Sequence, residues 1–204
     1  DRKIHEFQDE LIPERCPVPG LIVGDTAMGS CVTSAHFQGF KWGQRKRLNQ
    51  VLPVLQKVSR KFEEQFGRPG IVPFETYFMD ENPKQVIVAM GPDAGTAYEV
   101  IRRSKEKVGL IVVRLLTPFP SALLREALHS VERVGVVNNA FHTESGHLTA
   151  MVSEALSGLP IEVHGFFAGL GGADVSIGSR EKILSLLPQQ KRGDRCFVHQ
   201  GEVL

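Results

Sequence analysis

Three short stretches of this 204-residue sequence hold residue types that can do chemistry, and each follows an apolar run. The first is Gly91-Pro92-Asp93-Ala94-Gly95-Thr96. Its glycines let a backbone come close to a neighbour, and a helix opening there would present free N–H groups to an anion. It is neither GxGxxG nor a GK[ST] phosphate loop. The commoner use of the same residues is a tight strand-to-helix turn capped by Asp93 or Thr96, and that is the reading taken. The second is Asn138-Asn139-Ala140-Phe141-His142-Thr143-Glu144, where amide, imidazole and carboxylate stand together. His142 and Glu144 have the types of an acid and a base, because histidine titrates near neutrality. No nearby Ser or Cys completes a nucleophilic set, so a solvated or interface loop is preferred. The third is Gly169-Leu170-Gly171-Gly172-Ala173-Asp174-Val175, whose clustered glycines imply a sharp backbone path, with Asp174 a candidate cap for the next segment.

The elements that must position these loops follow from periodicity. Gln85 to Met90, Val108 to Leu116, Arg133 to Val137 and Ile161 to Ala168 are apolar or β-branched runs, expected as strands covered on both faces. Ile71 to Met79 is expected as a strand at an edge, because Pro73 cannot donate to a ladder. Helices are expected over about 95–107, 120–130, 147–157 and 180–187. Strand and helix in strict alternation predict a layered α/β domain with a mostly parallel sheet. In such sheets ligands bind beyond the carboxyl ends of the strands, where all three loops lie.

Ahead of that domain, Leu48, Val51, Leu52, Leu55, Val58, Phe62 and Phe66 recur at helical spacing and predict a long amphipathic helix. Pro53 should kink or divide it and Gly67 should end it. The expected organisation is an extended arm over 1–43, the helix over 44–68, the α/β domain over 69–188 and a linker or tail over 189–204. The absence of an initial Met, with Pro13, Pro17 and Pro19 soon after, suggests a piece of something longer. Trp42 and Phe37 are expected to pack on a partner.

Composition removes other classes. With 24 Lys and Arg against 23 Asp and Glu, the chain has no charge excess to favour nucleic acid. No apolar run reaches the roughly 18 to 20 residues a membrane span needs, and the charged start does not resemble a signal peptide. A cytoplasmic protein is expected. Cys16, Cys31 and Cys196 form no CxxC pair, and His5, His36, His129 and His164 form no HxH or HxxxH pair, so no metal site is expected.

Several blocks in register resemble one family. VSRKFEEQFGR (58–68), VIVAMGPDAGT (86–96), VGLIVVRLLTPFP (108–120) and GLGGADV (169–175) look like successive landmarks of the 2-oxoacid:ferredoxin oxidoreductases, in the domain that follows the thiamine-pyrimidine domain of the alpha subunit. Ile4 to Pro19 is similar to the link between the two. The resemblance implies a transketolase C-terminal-like fold: three layers, α/β/α, around a five-stranded mixed sheet of order 1-3-2-4-5 with the first strand antiparallel. The Gly91 and Asn138 loops would then face each other. It implies a parent enzyme that converts a 2-oxoacid and coenzyme A to acyl-CoA and carbon dioxide, using thiamine diphosphate with Mg2+ and iron–sulfur clusters, and passing electrons to ferredoxin. Those cofactors are expected in other domains or subunits, with this chain a structural and subunit-contact element that binds none of them. Two residues depart from the family pattern: Thr117 stands before Pro118-Phe119-Pro120, and Ala173 before Asp174, where arginines are usual. An arginine's planar donor fork has no substitute in Thr or Ala. Two other readings stay open here. One is the equivalent domain of a 2-oxoacid dehydrogenase beta chain or a transketolase; the other is a free-standing small-molecule-binding α/β domain.

Overall fold

The computed structural model describes residues 2–11, 22–23, 26–27, 33–142, 144–191 and 194–203. Pro13, Pro17, Pro19, Cys16, Cys31 and Thr143 lie outside them. The chain divides into two compact units, 1–71 and 72–204.

The first unit is helical where an arm was expected. It contains α1 (Arg2–Leu11), the two-residue antiparallel strands β1 (Ile22–Val23) and β2 (Thr26–Ala27), α2 (Ser34–Leu48) and α3 (Val51–Phe66). Within it Phe7 of α1 meets Phe62 and Phe66 of α3 edge-on, at centroid distances of 6.0 and 5.6 Å. The single long helix expected over 44–68 is two helices, divided at Asn49 and Gln50. Pro53 explains the division. Its ring crowds the carbonyl four residues back, at Asn49, yet in the first turn of a new helix its missing N–H has no bond to lose. Gly67 closes α3 in the left-handed region, φ 63°, where glycine carries no Cβ penalty.

The second unit is a layered α/β domain. In chain order it contains β3 (Phe74–Tyr77), β4 (Gln85–Ala89), α4 (Pro92–Arg103), β5 (Val108–Val113), α5 (Ser121–Ala127), β6 (Arg133–Asn138), α6 (His147–Ala155), β7 (Glu162–Phe167), α7 (Ile177–Leu186), β8 (Arg195–His199) and β9 (Glu202–Val203). The sheet runs β3-β5-β4-β6-β7-β8-β9. β3 is antiparallel to β5, and β5, β4, β6, β7 and β8 run parallel. The mixed sheet is as expected, but its strand count is seven rather than five. The difference is the stretch 189–204, expected as a tail. Cys196, Phe197 and Val198 form a short apolar run there, Phe197 stacked on Phe167 at 4.7 Å, and the run pairs with β7 before folding back as β9. Pro73 sits at the start of edge strand β3, where its carbonyl accepts the N–H groups of Arg114 and Leu115 at 3.0 and 2.9 Å.

Every residue of β5 is buried, as are four of five in β4. One face of the sheet packs Ile87, Leu110 and Phe166 against Ala97, Val100 and Ile101 of α4 and Ile183 and Leu184 of α7. The other packs Val88, Ile111 and Val136 against Leu124 of α5 and Leu148 and Val152 of α6. Each such fully buried aliphatic side chain stabilises the fold by about 1.5–3 kcal/mol. The winding direction changes between the neighbours β4 and β6, so the loops after Ala89 and Asn138 leave the same edge of the sheet.

Candidate functional site

At the carboxyl edge, β4 turns into α4 through Gly91, which caps the helix at φ 61°, ψ −141°. Neither Asp93 nor Thr96 caps α4. Asp93 is turned inward, 1% exposed, and its Oδ1 is paired with the guanidinium Nη2 of Arg180, itself 2% exposed. Thr96 donates its hydroxyl hydrogen to the carbonyl of Val175 at 3.4 Å. The Gly91 loop is thus tied to the Gly169–Val175 segment and the helix behind it. Burial pushes the Arg180 guanidinium down to about 10, which still leaves it charged at neutral pH.

Gly169, Gly171 and Gly172 all take positive φ (72°, 64° and 83°), which explains three glycines in four positions. Gly95 and Asp174 are exposed. The cap of α7 is Ser176 rather than Asp174. Its Oγ accepts the Ser179 N–H at 3.2 Å, while the Asp174 carboxylate lies at the rim of a cleft of about 680 Å³ formed with Gly172, Ala173, Ser179 and His199. Ala173 therefore lines an opening where the family pattern carries a long cation. Thr117, the other departure, precedes a cis peptide bond to Pro118.

Asn138 ends β6 and is 5% exposed. Its amide donates to Thr149 Oγ1 at 2.7 Å and to the Phe166 carbonyl at 3.4 Å, and its Oδ1 accepts the Thr149 N–H at 3.4 Å. This ties β6 to the first turn of α6. Gly146, at φ 72°, makes room for it: a Cβ there would stand 2.5 Å from Asn138 Oδ1. Asn139, His142 and Glu144 are exposed, and among the described residues no hydrogen bond or ion pair joins His142 to Glu144. None links the Asn138 loop to the Gly91 loop either, although both leave one edge. The structure ties the third loop to both others, to the first through Thr96 and Val175 and to the second through the Ala168 N–H on the Asn138 carbonyl at 3.1 Å, while among the described residues no such bond joins the first to the second.

A second cleft of about 520 Å³ lies beside α4, against Gly91, Gly95, Tyr77 and Tyr98. There Arg114 donates to Glu75 at 2.9 and 3.2 Å and Tyr77 donates its hydroxyl at 2.6 Å. The Arg114 bonds, then that of Tyr77, hold the Glu75 carboxyl below its ordinary range. At the opposite, amino edge, His164 is fully buried beside Glu162, its Nε2 3.5 Å from Glu162 Oε2, and Arg133 pairs with Glu162 at 2.8 Å. Desolvation first, and Arg133 second, push the His164 imidazole below its ordinary value.

Among the described residues no three His, Cys, Asp or Glu side chains are placed to share a metal ion, and no helix is long and apolar enough to cross a membrane. Burial raises the Cys196 thiol, which makes it a poor nucleophile. Sequence reasoning missed Arg180 and Thr149. The available signal for Arg180 was its spacing: with Ile183, Leu184 and Leu187 at three, four and seven residues on, it stands on the buried stripe of α7.

These features define a doubly wound α/β domain in which Asp93 and Asn138, at the carboxyl edge, are engaged within the fold by Arg180 and Thr149. Residues 84–179 match the family described as pyruvate:ferredoxin oxidoreductase core domain II. The chain is also similar to the pyruvate synthase subunit PorA of Methanothermobacter thermautotrophicus, 30% identical over 185 residues, covering 88% of this chain and 47% of that protein. The ketoisovalerate oxidoreductase subunit VorA of Pyrococcus abyssi is 30% identical over 186 residues, covering 87% and 47%. The alpha subunit of the NADH-dependent phenylglyoxylate dehydrogenase of Aromatoleum evansii is 27% identical over 190 residues, covering 88% and 43%. The chain belongs to the 2-oxoacid:ferredoxin oxidoreductase family, as a domain of the alpha-subunit type. It spans about half the length of the curated relatives it matches.

Proposed function

We propose that this chain is the structural and subunit-contact domain of a thiamine-diphosphate-dependent 2-oxoacid:ferredoxin oxidoreductase, transketolase C-terminal-like in fold and inactive alone. The observation that carries the reading is the use made of its polar groups. Asp93 is ion-paired to Arg180 and Asn138 has both amide atoms engaged by Thr149, so the two inward-facing residues at the switch point hold the domain together. They do not fit the metal-diphosphate group of thiamine diphosphate, which needs free oxygen donors for its Mg2+. The thiamine diphosphate, Mg2+ and iron–sulfur clusters of the parent enzyme are assigned to other domains or subunits, in the cytoplasm, and so is the chemistry that turns a 2-oxoacid and coenzyme A into acyl-CoA and carbon dioxide. Ferredoxin is the acceptor of the complex. The relatives support this division. Similar stretches, at 27 to 30% identity, occur in proteins named for pyruvate, ketoisovalerate and phenylglyoxylate, as expected where a shared domain does not choose the substrate.

Calorimetry and reconstitution test the reading together. The chain alone should show no heat of thiamine diphosphate binding at millimolar ligand with Mg2+, and no reduction of viologen by a 2-oxoacid with coenzyme A. Combined with the remaining subunits of the oxidoreductase, it should co-elute and restore that reduction. Measurable thiamine diphosphate binding by the chain alone, or full activity of the other subunits without it, would overturn the assignment.

A further inference from the structure

Residues 33–71 contain eight Lys and Arg against two Asp and Glu, whereas the rest of the chain contains 16 against 21. The excess centres on α2, where Lys41, Arg45, Lys46 and Arg47 stand with no acidic residue among fifteen. Lys41 and Arg45, four residues apart, repel on a helix, and no acidic residue of α2 offsets them. The same helix leaves Phe37, Phe40 and Trp42 more than half exposed, at 54, 66 and 61%. Lys41 lies over the Phe37 ring and Lys46 over the Trp42 ring, each at 5.5 Å, so cations and rings form one surface. Beside Phe40 that surface opens into a groove of about 740 Å³ over Gly39, Gly43, Leu48 and Val51, and a Cβ at either glycine would meet nothing within 4 Å.

Ring placement decides which kind of anionic partner fits. At about 100° per residue, Phe37 and Phe40 stand roughly 60° apart around the helix, and Trp42 stands roughly 140° to 160° from both. A membrane surface takes a single apolar face, and these rings do not share one. Single-stranded nucleic acid stacks on open ring faces, and here lysines cover two of the three rings. A protein surface can wrap the helix, receive rings on more than one side and set carboxylates against the cations. Trp, Phe and Arg are also residue types that anchor protein interfaces.

We infer that α2 is a docking helix for an acidic surface on another subunit of the same oxidoreductase. This rests on the subunit-contact reading above. Its test measures binding of the full chain to the purified remaining subunits across a salt series. Wild-type affinity should fall about tenfold between roughly 0.05 and 0.3 M salt, as screening weakens the ionic part. The variant Lys41→Gln/Arg45→Gln/Lys46→Gln/Arg47→Gln should bind at least ~10-fold more weakly at low salt and lose most of the salt dependence. Phe37→Ser/Phe40→Ser/Trp42→Ser should weaken binding while keeping the salt dependence. Lys41→Arg/Lys46→Arg, which conserves charge, should bind as wild type, and far-ultraviolet circular dichroism should show the helices intact in all of them. Unchanged affinity and salt dependence in the glutamine variant would overturn this inference and leave the subunit-contact reading standing. Failure of the wild-type chain to bind the subunits would overturn both. Binding to phosphatidylserine vesicles or to an RNA oligonucleotide that the glutamine variant alone loses, with subunit binding unaffected, would also overturn it.

Discussion

The two units treat their side chains in opposite ways. In 72–204 the apolar strands are covered on both faces, Asn138 and Thr149 bond each other, and Asp93 is ion-paired to Arg180, whose buried Nε and Nη1 have no hydrogen-bond partner among the described residues. In α2 and α3 no residue is buried, and the rings and cations of α2 stand open. The difference separates what folds a domain from what docks it. A closed core is stable by itself, whereas an open helical surface gains its energy from what covers it.

The sharpest way to break this contrast is to unpair the buried ion pair. Arg180→Met leaves Asp93 as an uncompensated buried charge and should cost about 3–5 kcal/mol, read as a lowered urea midpoint. The double variant Asp93→Leu/Arg180→Met removes both charges and should recover most of that loss, giving a large coupling energy in the double-mutant cycle. Equal and additive losses would mean that the pair is no unit and that the carboxyl edge is less closed than it stands.

A smaller effect is expected at the link between β6 and α6. Asn138→Ala strips the Thr149 N–H and hydroxyl of their partner and should cost about 1–3 kcal/mol in the same assay. Gly146→Ala should be at least as costly, since its Cβ would meet Asn138 Oδ1 at 2.5 Å and its φ of 72° disfavours a side chain. A neutral Asn138→Ala would return that residue to the ligand-binding candidates.

How much of this was legible in the sequence follows from the same contrast. The run QVIVA, VGLIVV and the strand-helix alternation exposed the layered sheet, because residues covered on both faces must all be apolar. Pro73 exposed the edge strand for an equally direct reason. β8 was hidden because its apolar residues, Cys196, Phe197 and Val198, form a run of only three between the charged Arg195 and the exposed His199. α2 was hidden because Gly39 and Gly43 interrupt it and its rings follow no helical stripe, so the pattern reflects an absent partner rather than the chain's own core. At the candidate site, glycines announced the turns, but Asp93 was expected as a helix cap and Asn138 as part of a solvated or interface loop, and both are internal fasteners. A residue's type does not reveal which way it points.

Titration of His164 sharpens the contrast further, with a more modest effect. The imidazole faces Arg133 and Glu162, with Asp194 also acting on it, and its folded pKa lies below the ordinary value of 6.5. The unfolded chain therefore binds the proton more readily, so the contribution is complete above about pH 6.5 and is lost as pH falls through that value towards the folded pKa. Urea midpoints should drop between pH 7.5 and 5, and His164→Leu should flatten the part of that slope due to the imidazole. An unchanged slope would assign the acid sensitivity to the carboxylates instead.

The smallest effect should come from Trp42, the only tryptophan of the chain. It is 61% exposed with a lysine over its ring, so its surroundings in the folded chain already resemble water. Urea that unfolds the α/β domain should change the circular dichroism cooperatively while moving the Trp42 emission maximum very little. Trp42→Ala should likewise alter the unfolding midpoint by no more than about 0.5 kcal/mol in stability, as expected of a surface site. Emission that shifts to the red in step with domain unfolding would show that the indole is sheltered by the chain itself, and the distinction between a closed domain and an open docking helix would fail at the residue chosen to represent it.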